Sequence, residues 1–328
     1  MKRYFCNACR HSFSINHREK EEPFWIHHID GTSLRKLADQ RGFSIAQTYA
    51  RVIAELETLP NNSFITKEYC TGYSGILIVD GKFVKVRGHT QKIPFIFGID
   101  YTTHDVVIAQ LSISESSDAF ETFFKTLKES GYDLKIAVAD DRSSMNTGLK
   151  RYFPNVLIQR CQCHYLENIR QGLHLRTDET HRHFFNSLKK HVFDEYENDE
   201  KLNEALSYVF EKHTTEHPLR QAILIDIDQR RGELFAYKNI SDCPSNTNLI
   251  ELFNSHLNGR LKTIKGFKSF QAAERWLNAY VLRRRTKAFT DCDGKFRSLN
   301  GKSSLQGVLK NQASWPEILG VQQPKTER

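Results

Sequence analysis

Three carboxylates in this sequence stand where they could share divalent cations. Asp80 follows the apolar run Gly75-Ile76-Leu77-Ile78-Val79, and Asp140 follows Leu134-Lys135-Ile136-Ala137-Val138-Ala139. Glu251 closes the segment Ser245-Asn246-Thr247-Asn248-Leu249-Ile250-Glu251, where Ser245 or Asn246 can cap a helix. Each apolar run reads as a buried strand ending in an acid. An acid at a strand end is more often a turn former than a ligand, so no single one of the three decides anything. Together they can: if the two strands are adjacent and parallel, both carboxylates leave one sheet edge, and a helix carrying Glu251 can pack across it. Hard oxygen ligands around ions about 3.5–4 Å apart are what two-metal phosphodiester cleavage requires. Mg2+ suits such a site, with Mn2+ as a substitute, because it takes few carboxylates and keeps positions open for phosphate oxygens. Asp141 is an alternative to Asp140, which is preferred because it ends the strand directly.

The elements that must position these acids follow from periodicity. Strands are expected over 75–80, 94–101 and 106–113, with a turn at Thr102-Thr103-His104-Asp105. Ser117 and Asp118 open an amphipathic helix through Phe120, Phe123, Phe124 and Leu127, closed by Gly131. A strand over 134–139, a short helix and a strand over 156–159 complete the set. A three-strand meander followed by helix, strand, helix, strand is the order of an α/β ribonuclease H-like catalytic core, here expected over 65–160 and 240–290. Residues 161–239 interrupt it with a polar, His-rich helical insertion, marked by Phe184, Leu188 and Val192 on one face and Leu202, Leu206 and Val209 on another. Helices resume at Asn246 and over about 270–284, and 291–328 read as a basic tail with little periodicity.

Ahead of the core, residues 19–60 read as an all-α domain. A short helix over 21–29 precedes a helix capped by Ser33, a turn at Gly42, and a third helix from Ser44 to the stop at Pro60. Helix, Gly turn, helix is the helix-turn-helix pattern, whose second helix enters the DNA major groove. Ser44, Gln47, Thr48 and Arg51 are its expected outward residues, and a plain three-helix bundle is the alternative. Asn61 and Asn62 then suggest a linker. Residues 1–18 carry Cys6-Asn7-Ala8-Cys9, half of a zinc ribbon without its second pair. His11 and His17 fit poorly as the remaining ligands. A Zn2+ site at Cys6 and Cys9 is thus one reading, with the ribbon's first half absent from the chain, and no metal is the other.

With these motifs in place, the chain resembles the bacterial insertion-sequence transposases of the Mutator type, DDE enzymes on a ribonuclease H-like fold. Ile78-Val79-Asp80-Gly81 is similar to the family's first strand with its Asp-Gly ending. Ala139-Asp140-Asp141-Arg142 is similar to its second Asp motif, with Asp141 in place of a glycine. Asn246-Thr247-Asn248-Leu249-Ile250-Glu251 is similar to the Asn-rich helix start that leads into the family's catalytic Glu. Arg160-Cys161-Gln162-Cys163-His164 matches its Cys-x-x-His element at Cys161 and His164, which reads better as a buried structural pair beside the acids than as a zinc site. The resemblance spans about residues 65–290 and implies metal-dependent cleavage at element ends and strand transfer into target DNA. It also implies recognition of terminal inverted repeats in double-stranded DNA, and a homodimer or higher synaptic assembly.

Charge and composition agree with a nucleic-acid partner. The net charge is +8, and from Glu251 onward 15 Lys and Arg face 6 Asp and Glu, leaving the preceding residues almost neutral. Arg283, Arg284, Arg285 and Lys287 close a helix and are expected to contact phosphates, with favourable helix C-terminal charge as the alternative. Hydrophobic content of 39% with 26% charged residues is that of a globular protein, and no apolar run approaches the ~20 residues of a membrane span. Seven dispersed cysteines do not form a disulfide framework, and no secretory signal opens the chain, so a cytoplasmic, nucleoid-associated protein is expected. A DNA-binding regulator or decayed relative without catalysis is the competing function, disfavoured by the survival of all three acids. A cellular ribonuclease H-like nuclease is the third.

Overall fold

The computed structural model describes residues 3–5, 8, 10, 12–14, 22–213, 217–310 and 319. The chain divides into two compact units, one built mainly from residues 1–59 and the other mainly from 60–315.

The first unit begins with two short antiparallel strands, β1 (Arg3–Phe5) and β2 (Ser12–Ser14). Cys6 and Cys9, the candidate zinc thiols, lie outside the described residues. Three helices follow: α1 (Phe24–Asp30), α2 (Leu34–Arg41) and α3 (Ile45–Thr58). Their apolar faces meet through Trp25, Ile26, Ile29, Leu37, Val52 and Leu56. Ser33 caps α2, and Ser44 and Gln47 form a reciprocal capping box at α3, satisfying two backbone donors that would otherwise be orphaned. The cap has a consequence for the expected groove residues. Thr48 is fully buried, its hydroxyl bonded to the Ser44 carbonyl, so it does not face outward. Ser44 and Gln47 spend polar groups on each other, and the Arg51 guanidinium stacks 4.0 Å from the Phe43 ring. Ser44, Gln47 and Arg51 are nonetheless exposed, as are the large apolar side chains Ile45 and Tyr49 of the same helix.

The second unit opens with α4 (Asn62–Tyr69) where a linker was expected. Asn62 is buried because its amide nitrogen donates to the Val106 carbonyl, and its backbone N–H donates to Asn278. A five-stranded mixed sheet follows, made of β3 (Ile76–Val84), β4 (Ile93–Asp100), β5 (Val106–Leu111), β6 (Ile136–Ala139) and β7 (Leu157–Arg160), in the order β5-β4-β3-β6-β7. The first three form an antiparallel meander, and β6 and β7 run parallel to β3. The crossovers are α5 (Ser117–Glu129) and α6 (Ser143–Tyr152). The strand and helix order read from periodicity is therefore the order found. One strand end differs: β3 continues past Asp80 to Val84, because its hairpin with β4 extends as far as Val84 opposite Ile93.

The first core lies between the sheet and α5 and α6, where Phe120, Phe123, Phe124 and Leu127 meet Leu77, Val107 and Ala137. Gly148 lets α6 approach α5 closely, since a Cβ there would sit 2.7 Å from backbone atoms of Phe120 and Glu121. A mid-helix Gly→Ala change usually gains about 1 kcal/mol. Here the backbone clash dominates, and Gly148→Ala is expected to destabilise by about 2 kcal/mol, read as a lower midpoint in urea unfolding.

From β7 the chain enters α7 (Gln162–Gly172), α8 (Arg182–Leu188) continuing into a π-helical turn (Lys189–Asp194), α9 (Asp199–His213), α10 (Pro218–Gln229) and α11 (Arg231–Leu234). These helices have a core of their own, including Phe184, Leu188, Val192, Leu202, Val209 and Ile227. The chain returns through α12 (Asn248–Ile264) and α13 (Phe270–Thr286) and ends its described course with α14 (Ser304–Val308). Residues up to 310 are not a loose tail. Bridges join Ala288 to Ser303, Phe289 to Asn300 and Leu309 to Cys70, and Leu305 and Val308 are buried.

Candidate active site

The sheet topology brings two of the acids together. Parallel pairing of β3 with β6 runs through Ile76–Ile136, Leu77–Ala137 and Ile78–Val138. Continued two residues, that register sets Asp80 beside Asp140, at the point where β6 ends and β3 continues paired only with β4. The third acid arrives on α12. Phe253 anchors that helix on the sheet, its ring centroid 4.6 Å from that of Phe97, and the Ser245 carbonyl accepts the Gln162 N–H just ahead of it. Thr247 occupies the N-cap position, and Asn246 accepts the Asn248 N–H at 3.1 Å. Glu251 and Asn254, three residues apart, share one face of α12.

Side-chain contacts tie the cluster together. Asn254 Nδ2 donates to Asp80 Oδ2 at 2.7 Å. His164 lies between the other two acids, with Nδ1 2.6 Å from Asp140 Oδ1 and Nε2 3.8 Å from Glu251 Oε1. Cys161 is buried at the start of α7, its sulfur accepting the Thr247 hydroxyl at 3.3 Å. The ligand atoms of Asp140, Cys161 and His164 fall within 4.8 Å of one another. Burial, reinforced by the negative charge of Asp80 and Glu251, raises the Asp140 carboxyl above its ordinary value, against the opposing pull of His164 and Arg142.

Sequence reasoning missed three participants. Asn254 is one. Glu115 and Arg142 are the others, an ion pair beside Asp80 and Asp140. Glu115 comes so close to the strand that a Cβ on Gly81 would lie 2.8 Å from its Oε1. The long-range pairing of Glu115 with Arg142 left no local signal. Asn254 had one, since it stands one helical turn beyond Glu251.

Asp141, the alternative to Asp140, faces elsewhere. Its two carboxylate oxygens pair with Arg160 and with Arg230, the latter at 2.7 Å. Arg160 in turn pairs with Glu233, and Gln159 and Gln162 donate to the Leu234 carbonyl at 2.8 and 2.9 Å. Asp141 thus fastens α10 and α11 to the sheet edge. Arg285, expected to contact phosphate, is instead fully buried against Asp105 and cannot reach one. Arg283 and Arg284 are half-buried and Lys287 is exposed. A cavity of about 630 Å³ lies on the opposite face of α12, lined by Leu249, Leu252, Phe253 and His256, and is separate from the acids.

Residues 45–291 match the family described as Transposase, Mutator family. The chain belongs to that family. Two curated relatives match this transposase at 23% identity over 271 residues, covering 78% of this chain and 67% of theirs. Both are transposases for insertion sequence element IS256 in transposon Tn4001, from Staphylococcus aureus and from Enterococcus faecalis. Among solved structures, the Drosophila P element transposase strand transfer complex aligns with a TM-score of 0.47 at 10% identity, over 81% of this chain and 91% of that one. Among the described residues, no helix of the transposase is long and apolar enough to cross a membrane.

Proposed function

We propose that this transposase cuts and joins DNA at one metal-dependent site on a ribonuclease H-like core, with Asp80, Asp140 and Glu251 as the acids. The observation that carries the reading is their convergence, from three separate elements, around His164 and Asn254. The residues fit a cation. Among the described residues, buried oxygens without an aligned hydrogen-bond partner include Asp140 Oδ1, Glu115 Oε1 and Asn254 Oδ1, all at this cluster. An upward-shifted carboxyl beside two further acids is also what a cation would relieve. Mg2+ or Mn2+ held there would activate the attacking hydroxyl and stabilise the departing oxygen. The chain's own part is placement: β3 and β6 fix two carboxylates side by side, α12 swings the third over them, and His164 spans Asp140 and Glu251. In-line positioning of this kind supplies much of the rate in phosphoryl transfer. The single thiol of Cys161 is bonded to Thr247, so the oxygen-rich side of the cluster is the side for a hard ion.

In the same reading, α2 and α3 act as a helix-turn-helix on double-stranded DNA at the element's inverted repeats, with Ser44, Gln47 and Arg51 exposed on α3 and its N-cap beside Ile45 and Tyr49. Target DNA would enter at the acids, within a dimer or larger assembly. The test is nicking of a duplex carrying the inverted repeats that flank the coding region. Cleavage is expected with Mg2+ or Mn2+ and should cease with a chelator, while binding of the duplex persists. Cleavage that continues in the chelator would refute the metal site. Binding without cleavage in any divalent ion would leave a DNA-binding regulator.

A further inference from the structure

We infer that Asn254 is a positioning residue of the acidic site: its amide nitrogen fixes Asp80, and its free carbonyl oxygen serves the cation's water. This rests on the metal-site reading above and adds a member to it.

Asn254 is 5% exposed, and its side chain makes one hydrogen bond, Nδ2 to Asp80 Oδ2 at 2.7 Å. The assignment of nitrogen and oxygen follows from chemistry. With the amide turned over, its carbonyl would face a carboxylate oxygen, two acceptors with no proton between them. The nitrogen therefore faces Asp80. Oδ1 is then the atom left over, and it is buried without a partner. Buried amide oxygens are almost always satisfied, so an orphan one at a carboxylate cluster points to a missing donor. Water bound to a divalent cation is a strong donor of the kind that oxygen lacks. The position on α12 adds to the case. Asn254 lies one turn beyond Glu251 on the same helical face, so one rigid helix sets both the third acid and the brace for the first. Groups that orient a metal's ligands typically change its affinity 10–100-fold when removed.

Mn2+ titration into the full chain without DNA, followed by calorimetry, tests this. The proteins are the wild type, Asp80→Asn, Asn254→Leu and Asn254→Asp. Asn254→Leu keeps the volume and removes both polar atoms, and it should weaken Mn2+ binding at least 10-fold. Asn254→Asp sets a second carboxylate against Asp80 and should bind Mn2+ at least as tightly as the wild type. A residue that only packs predicts the reverse pattern, with Leu harmless to binding and Asp harmful to the fold. If Asn254→Leu binds Mn2+ like the wild type while Asp80→Asn is weakened, the role of Asn254 is overturned and the metal site stands. If Asp80→Asn also binds like the wild type, both fall. Should the Leu variant not fold, Asn254→Ala, which also removes both polar atoms, decides, and Mn2+ binding like the wild type would overturn the inference.

Discussion

Asp140→Asn should reduce strand cleavage on the order of 10³-fold while duplex binding stays near wild type, and Asp141→Asn should leave cleavage within about tenfold. The two neighbours look alike in sequence and differ in surroundings. Asp140 sits with His164 and in the field of Asp80 and Glu251, and it is part of the cluster with buried, unsatisfied oxygens. On the proposed metal-site reading, losing its charge removes a cation ligand, an effect worth about 4 kcal/mol at the transition state for 10³ in rate. Asp141 gives both oxygens to Arg160 and Arg230. Asp141 and Arg230 are 42% and 36% exposed, and the buried Arg160 keeps Glu233 as a partner, so the cost of Asp141→Asn is limited to roughly 1 kcal/mol of stability. That cost should appear as looser attachment of α10 and α11, with faster amide exchange near Leu234 and cleavage retained. End-labelled duplex cleavage under single-turnover conditions reads the first effect, and hydrogen exchange reads the second. A reversed result, with Asp141→Asn inactive and Asp140→Asn active, would move the ligand by one residue.

The sequence was most legible where burial alone decides. Runs such as Ile76-Leu77-Ile78-Val79 and Ile136-Ala137-Val138-Ala139 are buried throughout because helices cover the sheet, and continuous apolarity announces that. Their parallel pairing was only a condition in the sequence reading, since nothing local states which strands are neighbours. The end of β3 was misplaced for a related reason. An Asp-Gly pair reads as a stop, yet the β4 partner carries the strand on to Val84. Thr48 shows a subtler limit. Helical spacing suggested an outward face for it, but the Ser44 carbonyl takes its hydroxyl and lets it sit in the core. Asn62 and Glu115 were invisible because their partners are far away in sequence, and the spacing that puts Asn254 on the face of Glu251 did not reveal its bond to Asp80, since a polar residue declares its burial only through the group that satisfies it.

Arg285 is the extreme case and gives the largest expected effect on stability. In a run of three arginines it looked like a phosphate contact, but it is fully buried. Its guanidinium makes a two-pronged pair with Asp105, at 3.0 and 2.7 Å, and donates to Asn62 Oδ1 at 2.7 Å and Thr66 at 3.1 Å. Asp105 also accepts from Tyr73 at 2.9 Å and from Ser304 at 2.7 Å, so α4, β5, α13 and α14 meet at one ion pair. Burial, and next the Asp105 carboxylate, push the Tyr73 phenol well above its ordinary value. A pair so enclosed contributes little net stability over an apolar replacement, but removing one partner strands the other charge. Arg285→Met is therefore expected to cost about 3–5 kcal/mol and lower the melting temperature by roughly 10 °C. Replacing both partners, Arg285→Met with Asp105→Leu, should cost less than the sum of the single changes, because no charge is left unpaired. Calorimetric melting of the four proteins reads the coupling directly. Well below the melting temperature, the salt dependence of DNA binding by Arg285→Met should match the wild type, since each lost phosphate contact would reduce the logarithmic slope by about 0.9. A reduced slope at unchanged stability would return Arg285 to the DNA surface.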